Sequence, residues 1–391
     1  MNPFGPTALT LENLTIGYRS PVVTDINLTV PPGVFVSLLG ANGSGKTTLL
    51  RTISRRLKPL AGRITLFDQP LKTFKALDLA KTLSVVLTDK AEVPMLRVLE
   101  FVALGRHPHS DFLGRLTDKD LLAVEESLFA VKADKLANRF VDELSDGERQ
   151  KVVLARALAQ NPRITLLDEP TAHLDLKHRL EFLAILRNLC RQIGLTVIAA
   201  AHDVESAARF SDLVMTLKDG RLQDFGRPEE VLKPEAIRTL YDCPEANFDS
   251  ALGGLEMTPD GRAGRAFVLG GQDSAALAYR LLAKQGYALA TGFFLATDLD
   301  AHVARSLGAK VFSFKNADNP PLADLLAESL VELGQCDFLV IAGDMGGFSE
   351  GLTKLKAEAK KLNIPILSLG PNGELTPLIE GLALYRSSRA A

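Results

Sequence analysis

The residues best suited to chemistry fall in four short stretches. Gly40-Ala41-Asn42-Gly43-Ser44-Gly45-Lys46-Thr47-Thr48 is a glycine-rich loop closed by a lysine and two threonines. It fits the pattern G-x-x-x-x-G-K-[ST], a P-loop. In such a loop backbone N–H groups converge on phosphate oxygens, the lysine reaches the outer phosphates and the threonine hydroxyl ligates Mg²⁺. Ile164-Thr165-Leu166-Leu167 leads into two adjacent carboxylates, Asp168 and Glu169, and Leu195-Thr196-Val197-Ile198-Ala199-Ala200-Ala201 leads into His202-Asp203. The fourth stretch, Leu144-Ser145-Asp146-Gly147-Glu148-Arg149-Gln150, opens a strong helical pattern.

These stretches carry meaning only if the right elements hold them. Val34-Phe35-Val36-Ser37-Leu38-Leu39 is an apolar, β-branched run that reads as a buried strand, and Leu49-Leu50-Arg51-Thr52-Ile53 begins a helix. Strand, loop and helix in that order put the loop at a helix N-terminus, whose positive dipole end favours phosphate. Asp168, Glu169 and His202 each follow an apolar run, which places them at carboxyl ends of core strands, where ligands sit in open α/β sheets. Beside a P-loop, a strand-end aspartate is what phosphate-bound Mg²⁺ requires. Tyr18, in Gly17-Tyr18-Arg19, has a ring that can stack on an adenine or serve packing. Ser145 three residues before Glu148 also reads as a helix capping box.

The rest of the chain supplies a frame. Residues 7–30 alternate apolar and polar as two strands around Ser20-Pro21, and residues 59–67 read as a turn and a strand. Residues 88–150 read as a mainly helical insertion, and Asp219-Gly220 as a hairpin turn. Residues 242–264, rich in Gly, Pro, Asp and Glu, read as a linker. From 265 to 391 strand and helix patterns alternate, with strands near 288–295, 310–314, 337–342 and 364–369 and helices between them. The expected organisation is therefore an α/β P-loop core over 7–241 with N-terminal antiparallel strands and a helical subdomain, and a smaller Rossmann-like α/β domain over 265–391.

Composition narrows the classes. The 391 residues carry a formal net charge of −2 with mixed signs, which argues against a general nucleic-acid or membrane-surface role. No apolar run approaches the roughly 20 residues that span a bilayer. The first residues carry neither the basic nor the apolar region of an export signal. Three cysteines far apart fit a reducing compartment, so a cytosolic location is expected.

Over about residues 8–245 these pieces resemble the ATP-binding-cassette (ABC) ATPases. Residues 40–48 are similar to their Walker A loop, 164–169 to Walker B, and 144–150 to the signature motif, with Asp146 where the family usually has glycine. Tyr18 falls at the adenine-stacking position, Leu174-Asp175 at the D-loop and His202 at the switch histidine. Leu104-Gly105-Arg106-His107-Pro108-His109 is similar to a segment of iron-siderophore, haem and cobalamin importer ATPases, where it lies near the permease contact; as a metal site, its H-x-H pair is a weak signal.

The resemblance implies ATP and Mg²⁺ as cofactors. It places ATP on Tyr18, Gly40, Asn42, Gly43, Ser44, Gly45, Lys46, Thr47, Thr48, Ser145, Gly147, Glu148 and Asp175, with Ser145 and Gly147 acting from the second subunit of a homodimer. It implies Glu169 as general base or water-positioner, Lys46 and His202 on the γ-phosphate, and Thr47 and Asp168 on Mg²⁺. The family's Q-loop glutamine is replaced by Thr88-Asp89; Thr88 would reach Mg²⁺ through a bridging water, or Asp89 would take part. The implied partners are integral membrane permease subunits and, indirectly, a substrate-binding protein, with the chain on the cytoplasmic face of the membrane. The alternative is a soluble ABC ATPase acting on nucleic acid or another macromolecule. That reading predicts a second cassette, a long coiled-coil insertion or a basic patch, and the sequence shows none of these. The C-terminal domain could act as a ligand-sensing module through Gly270-Gly271-Gln272-Asp273-Ser274, or those residues could be a capped turn.

Overall fold

The computed structural model describes residues 7–87, 95–111, 115–249, 253–270, 274–314, 322–343, 349–370 and 373–390. The chain divides into two units, one ending at Leu232 and the other beginning at Lys233.

In the first unit ten strands form one sheet: β1 (Leu9–Gly17), β2 (Pro21–Val30), β3 (Phe35–Leu39), β4 (Ala61–Leu66), β5 (Gln69–Pro70), β6 (Leu83–Val86), β7 (Ile164–Asp168), β8 (Thr196–Ala200), β9 (Leu213–Lys218) and β10 (Arg221–Gly226). Their spatial order is β5-β4-β1-β2-β10-β9-β3-β8-β7-β6. The strands β6, β7, β8, β3 and β9 are parallel neighbours, whereas β1, β2, β4 and β5 pair antiparallel. Every residue of β3, β7 and β8 is buried, as expected for parallel strands covered on both faces. Alternation splits them between two cores: Val36, Leu38, Ile164, Leu166, Ile198 and Ala200 face one way, and Phe35, Leu167, Val197 and Ala199 the other. Because β3, β8 and β7 are adjacent and parallel, their carboxyl ends lie along one edge. That edge receives the glycine-rich loop, His202 and the carboxylate pair.

The insertion contributes helices Val98–Ala103, Asp118–Ala130 and Asp146–Ala159, whose Val98, Val102, Val124, Leu128 and Val152 share the second core. A buried ion pair ties it together. Arg106 Nε and Nη2 each lie 2.8 Å from Asp120 Oδ1, and Arg106 Nη1 donates to Ala159 O at 2.7 Å, at the end of the third helix. Asp120 Oδ2 accepts from Thr117 N and Thr117 Oγ1. Those Thr117 hydrogen bonds, the hydroxyl's first, together with Arg106, hold the Asp120 carboxyl down at about 2. Asp120→Ala should therefore cost about 3–5 kcal/mol in a denaturation experiment, since it leaves Arg106 buried and uncompensated. The carboxylate's contribution is complete above the unfolded carboxyl range near ~4 and is lost as pH falls toward the folded value, so the gap between wild type and variant should close over that window. A cost under about 1 kcal/mol near neutral pH would show that Arg106 finds water instead.

The second unit begins with helix Pro234–Tyr241 and a hairpin of β11 (Ala246–Asp249) and β12 (Gly254–Met257), paired from Ala246↔Met257 to Asp249↔Gly254. The segment read as a linker thus carries paired strands, and Phe248 on β11 is fully buried. Beyond it β13 (Gly264–Leu269), β14 (Tyr287–Leu295), β15 (Lys310–Phe314), β16 (Phe338–Ile341) and β17 (Ile366–Ser368) form an all-parallel sheet in the order β15-β14-β13-β16-β17. That order, with its reversal between β13 and β16, is the Rossmann arrangement. A last helix, Thr376–Ala390, is an element the periodicity reading leaves out.

Candidate functional site

The glycine-rich loop follows β3 and opens helix Lys46–Ile53. Gly45, its N-cap, has φ 102°, and a Cβ there would stand 2.5 Å from Val23 Cγ2. Gly40 has φ 154°, and its Cβ would meet Leu217 O at 2.5 Å. Only glycine meets both demands, conformation and close approach. Lys46 is 5% exposed and donates from Nζ to Gly40 O at 2.7 Å and Ala41 O at 3.1 Å. Burial lowers its pKa, opposed by the charges of Glu169 and Asp168. Ser44 Oγ is buried without a hydrogen-bond partner among the described residues. An orphaned hydroxyl, a lysine parked on loop carbonyls and open space beside Gly43 together fit a polyphosphate.

The second carboxylate of the β7 end sits in an unusual backbone. Asp168 closes the strand, 7% exposed, and accepts from Thr47 Oγ1 at 3.1 Å. Burial raises its pKa, with the Thr47 hydrogen bond opposing. Glu169 takes φ 49°, the left-handed region that non-glycine residues rarely adopt, and its Oε1 lies 2.5 Å from His202 Nε2. The Thr47 hydroxyl and the Asp168 carboxylate form an oxygen donor set suited to a hard cation such as Mg²⁺, which would also relieve the buried carboxylate. Glu169 and His202 border a cleft of about 290 Å³, with Thr171, Arg179 and Asp203 on its walls. Tyr18, 58% exposed, accepts a hydrogen bond from Arg51 Nη1 at 3.0 Å, which ties it to the loop's helix.

The structure thus gathers Lys46, Thr47, Asp168, Glu169 and His202 into one cluster. Ser145, Gly147, Glu148 and Asp175 form another. Ser145 is the N-cap of helix Asp146–Ala159: its Oγ accepts from Glu148 N at 3.3 Å, and Glu148 Oε2 accepts from Ser145 N at 3.0 Å. Asp175 caps helix Leu176–Ile193 and accepts from His178 N and His178 Nδ1, both at 2.8 Å. His178 joins the two helix starts, since a Cβ on Gly147 would lie 2.5 Å from its ring. Sequence reasoning missed His178, Arg51 and Arg179, which lack a motif of their own. Asn42 is exposed and Thr48 buried within the loop and its helix. Thr88 and Asp89 lie outside the described residues. His109 Nε2 is hydrogen-bonded to Gln160 O at 2.9 Å, so that histidine anchors the turn at residues 104–109 to the end of helix Asp146–Ala159. In the second unit Ala275 N, at the start of helix Ala276–Lys284, lies 3.2 Å from both carboxylate oxygens of buried Asp300, so that helix start already faces an anion; residues 271–273 are outside the described residues. No helix among the described residues is long and apolar enough to cross a membrane.

The chain is similar in sequence and fold to known proteins. The family model described as "ABC transporter" matches residues 23–172. An uncharacterised ABC transporter ATP-binding protein of Methanocaldococcus jannaschii is 39% identical over 73% of this chain and 99% of its own length. A cobalamin import ATP-binding protein of Halobacterium salinarum is 35% identical over 73% of each chain, and an iron(3+)-hydroxamate import ATP-binding protein of Bacillus subtilis is 38% identical over 60% of this chain and 87% of its own. Among solved structures, a bacterial ABC transporter cassette, described as dimeric, superposes with a TM-score of 0.50 at 29% identity, covering 56% of this chain and 98% of that one.

Proposed function

This chain belongs to the ABC transporter family, and from that premise we propose that it is the ATP-hydrolysing subunit that energises import of an iron chelate, haem or cobalamin through a separate membrane permease. The observation that carries the reading is the cluster at the ends of β3, β7 and β8: a buried lysine on the glycine-rich loop, a threonine hydroxyl bonded to a buried aspartate and a carboxylate held by a histidine, all on one edge. The named import functions of the cobalamin and hydroxamate relatives support the cargo class.

In the proposed reaction the loop amides and Lys46 hold the β- and γ-phosphates of ATP; Thr47 and Asp168 would hold Mg²⁺, which when bound would offset charge on the phosphoryl group. Tyr18 stacks on the adenine. Glu169 orients water and takes its proton; His202, bonded to Glu169, keeps that carboxylate aimed and contacts the γ-phosphate. Ser145 and Gly147 begin a helix whose dipole suits a phosphate, but their cluster is built around His178 rather than the loop. We assign them to the nucleotide of a second copy, which makes the active form a homodimer at the cytoplasmic face of the membrane.

Mixing two inactive variants tests the homodimer. Lys46→Ala disables the loop. Ser145→Asp keeps an N-cap acceptor, because Asp caps as well as Ser, while setting a carboxylate against phosphate. Each protein alone should be inactive. In a 1:1 mixture half the dimers are mixed, and each mixed dimer holds one site with both halves intact, so activity should return to about one quarter of wild type. A mixture as dead as its components would place the signature residues in the same subunit's site. Uptake of a radiolabelled ferric siderophore, ferric haem or cobalamin by cells with and without the Glu169→Gln allele tests the cargo class; uptake of all three that survives the allele rejects it.

A further inference from the structure

The cleft beside Glu169 and His202 contains a cation that none of the steps above uses. Arg179 lies one turn into helix Leu176–Ile193, with its side chain 34% exposed. Its Nη1 donates to Asp203 Oδ2 and its Nη2 to Leu174 O, each at 3.4 Å. Both bonds are long, and Nε is buried with no partner among the described residues. An unpaired buried donor does not help folding, so this guanidinium is poorly accounted for by stability alone. What it spans is specific. Leu174 and Asp175 form the turn that begins the helix, and Asp175 belongs to the Ser145–Gly147 cluster through His178. Asp203 follows His202 directly and is itself fixed, capping helix Val204–Phe210 through Glu205 N, Ser206 N and Ser206 Oγ.

We infer that Arg179 is a positioning residue for hydrolysis: it ties the His202-Asp203 loop to the turn at Leu174-Asp175, so that the histidine is aimed at Glu169 only when that turn is in place. Hydrogen bonds of this kind are often long without substrate and shorten in the reacting complex. The tether links the two residue clusters, and through them the two halves of the site. The inference rests on the reading of Glu169 and His202 as the hydrolytic pair.

The test measures kcat and KM for MgATP with the full-length chain carrying Arg179→Gln, Arg179→Lys, Asp203→Asn or Arg179→Gln with Asp203→Asn, beside Glu169→Gln. Asn retains the cap at 203 while removing the charge. Arg179→Gln should lower kcat about tenfold with KM changed less than about twofold, the signature of a group acting only on the transition state. Asp203→Asn should do the same, the double variant should fall no further than the worse single one, and Arg179→Lys should recover part of the loss. Wild-type kcat in Arg179→Gln, or losses that multiply in the double variant, would overturn the tether while an inactive Glu169→Gln left the hydrolytic pair standing. A Glu169→Gln protein with normal turnover would overturn both.

Discussion

The Glu169→Gln protein is expected to turn over ATP about 10²–10⁴-fold more slowly than wild type while binding MgATP within about threefold of wild-type affinity. The expectation comes from where the chain reverses. β7 is buried throughout and delivers Asp168 inward, toward Thr47. A continued strand would point the next side chain to the opposite face of the sheet. Instead Glu169 takes φ 49°, and the turn sets its carboxylate 2.5 Å from His202 rather than against the core. A glutamic residue held in the left-handed region costs on the order of 1 kcal/mol or more, which surrounding structure must over-determine. Gln preserves the volume and the bond to His202 but cannot accept a proton from water. Loss of turnover with binding retained therefore isolates proton acceptance and water orientation from nucleotide grip. Phosphate release would report the first and a fluorescent ATP analogue the second. Turnover within about tenfold of wild type would remove Glu169 from the role and leave substrate-assisted hydrolysis as the working mechanism.

What the sequence reveals and what it hides divide along a physical line. Lys46 and Thr47 are legible by the glycine-rich loop between β3 and the helix they open, and Asp168 and Glu169 because they sit at the end of a contiguous apolar run; a parallel strand needs no partner information to announce which end carries the ligand edge. The same logic locates His202 after β8. Ser145 is legible twice, as a helix start and by its resemblance to the signature motif, and the structure shows the first plainly. Contacts made across elements leave no such trace. Arg106 and Asp120 lie on different helices, and nothing in either neighbourhood forecasts a buried pair. His178 matters because it stands between the starts of two helices, and Arg179 because its guanidinium reaches two loops. The hairpin within 242–264 is hidden for another reason: four-residue strands in a stretch rich in glycine and acidic residues are too short for alternation to outweigh composition. The strand order of the second unit, with β13 at its centre, also follows from pairing across the fold rather than from any local signal.

Replacing Lys46 should separate stability from function in opposite directions. The ammonium is almost wholly enclosed and spends its hydrogen bonds on Gly40 O and Ala41 O. Its pKa is nonetheless lowered, so burial outweighs the attraction of Glu169 and Asp168 and the folded nucleotide-free protein disfavours the charge. A lysine whose folded pKa lies below its unfolded value makes stability rise with pH through the window between the two, because the folded state gives up its proton first. Asp168 is strained in the complementary sense, its carboxyl raised by the same burial. Lys46→Met should therefore leave the nucleotide-free melting temperature of the first unit no lower than wild type, and should flatten any rise in stability as the pH approaches the lysine range. The same substitution should cut the nucleotide's effect. Wild type at 100 Kd of MgATP gains about 2.7 kcal/mol by linkage, and losing a charge-assisted contact to phosphate should weaken binding by about 10- to 100-fold, leaving about 1.4 to 0.4 kcal/mol of that gain at the same MgATP concentration. Thermal melts with and without MgATP read both quantities. A variant that is destabilised without nucleotide and still stabilised normally by MgATP would mean that Lys46 holds the loop together rather than the phosphates. If the expected pair of results is found, two burials that are each unfavourable on their own, a lysine and an aspartate, persist at this edge because a polyphosphate and its cation satisfy both at once.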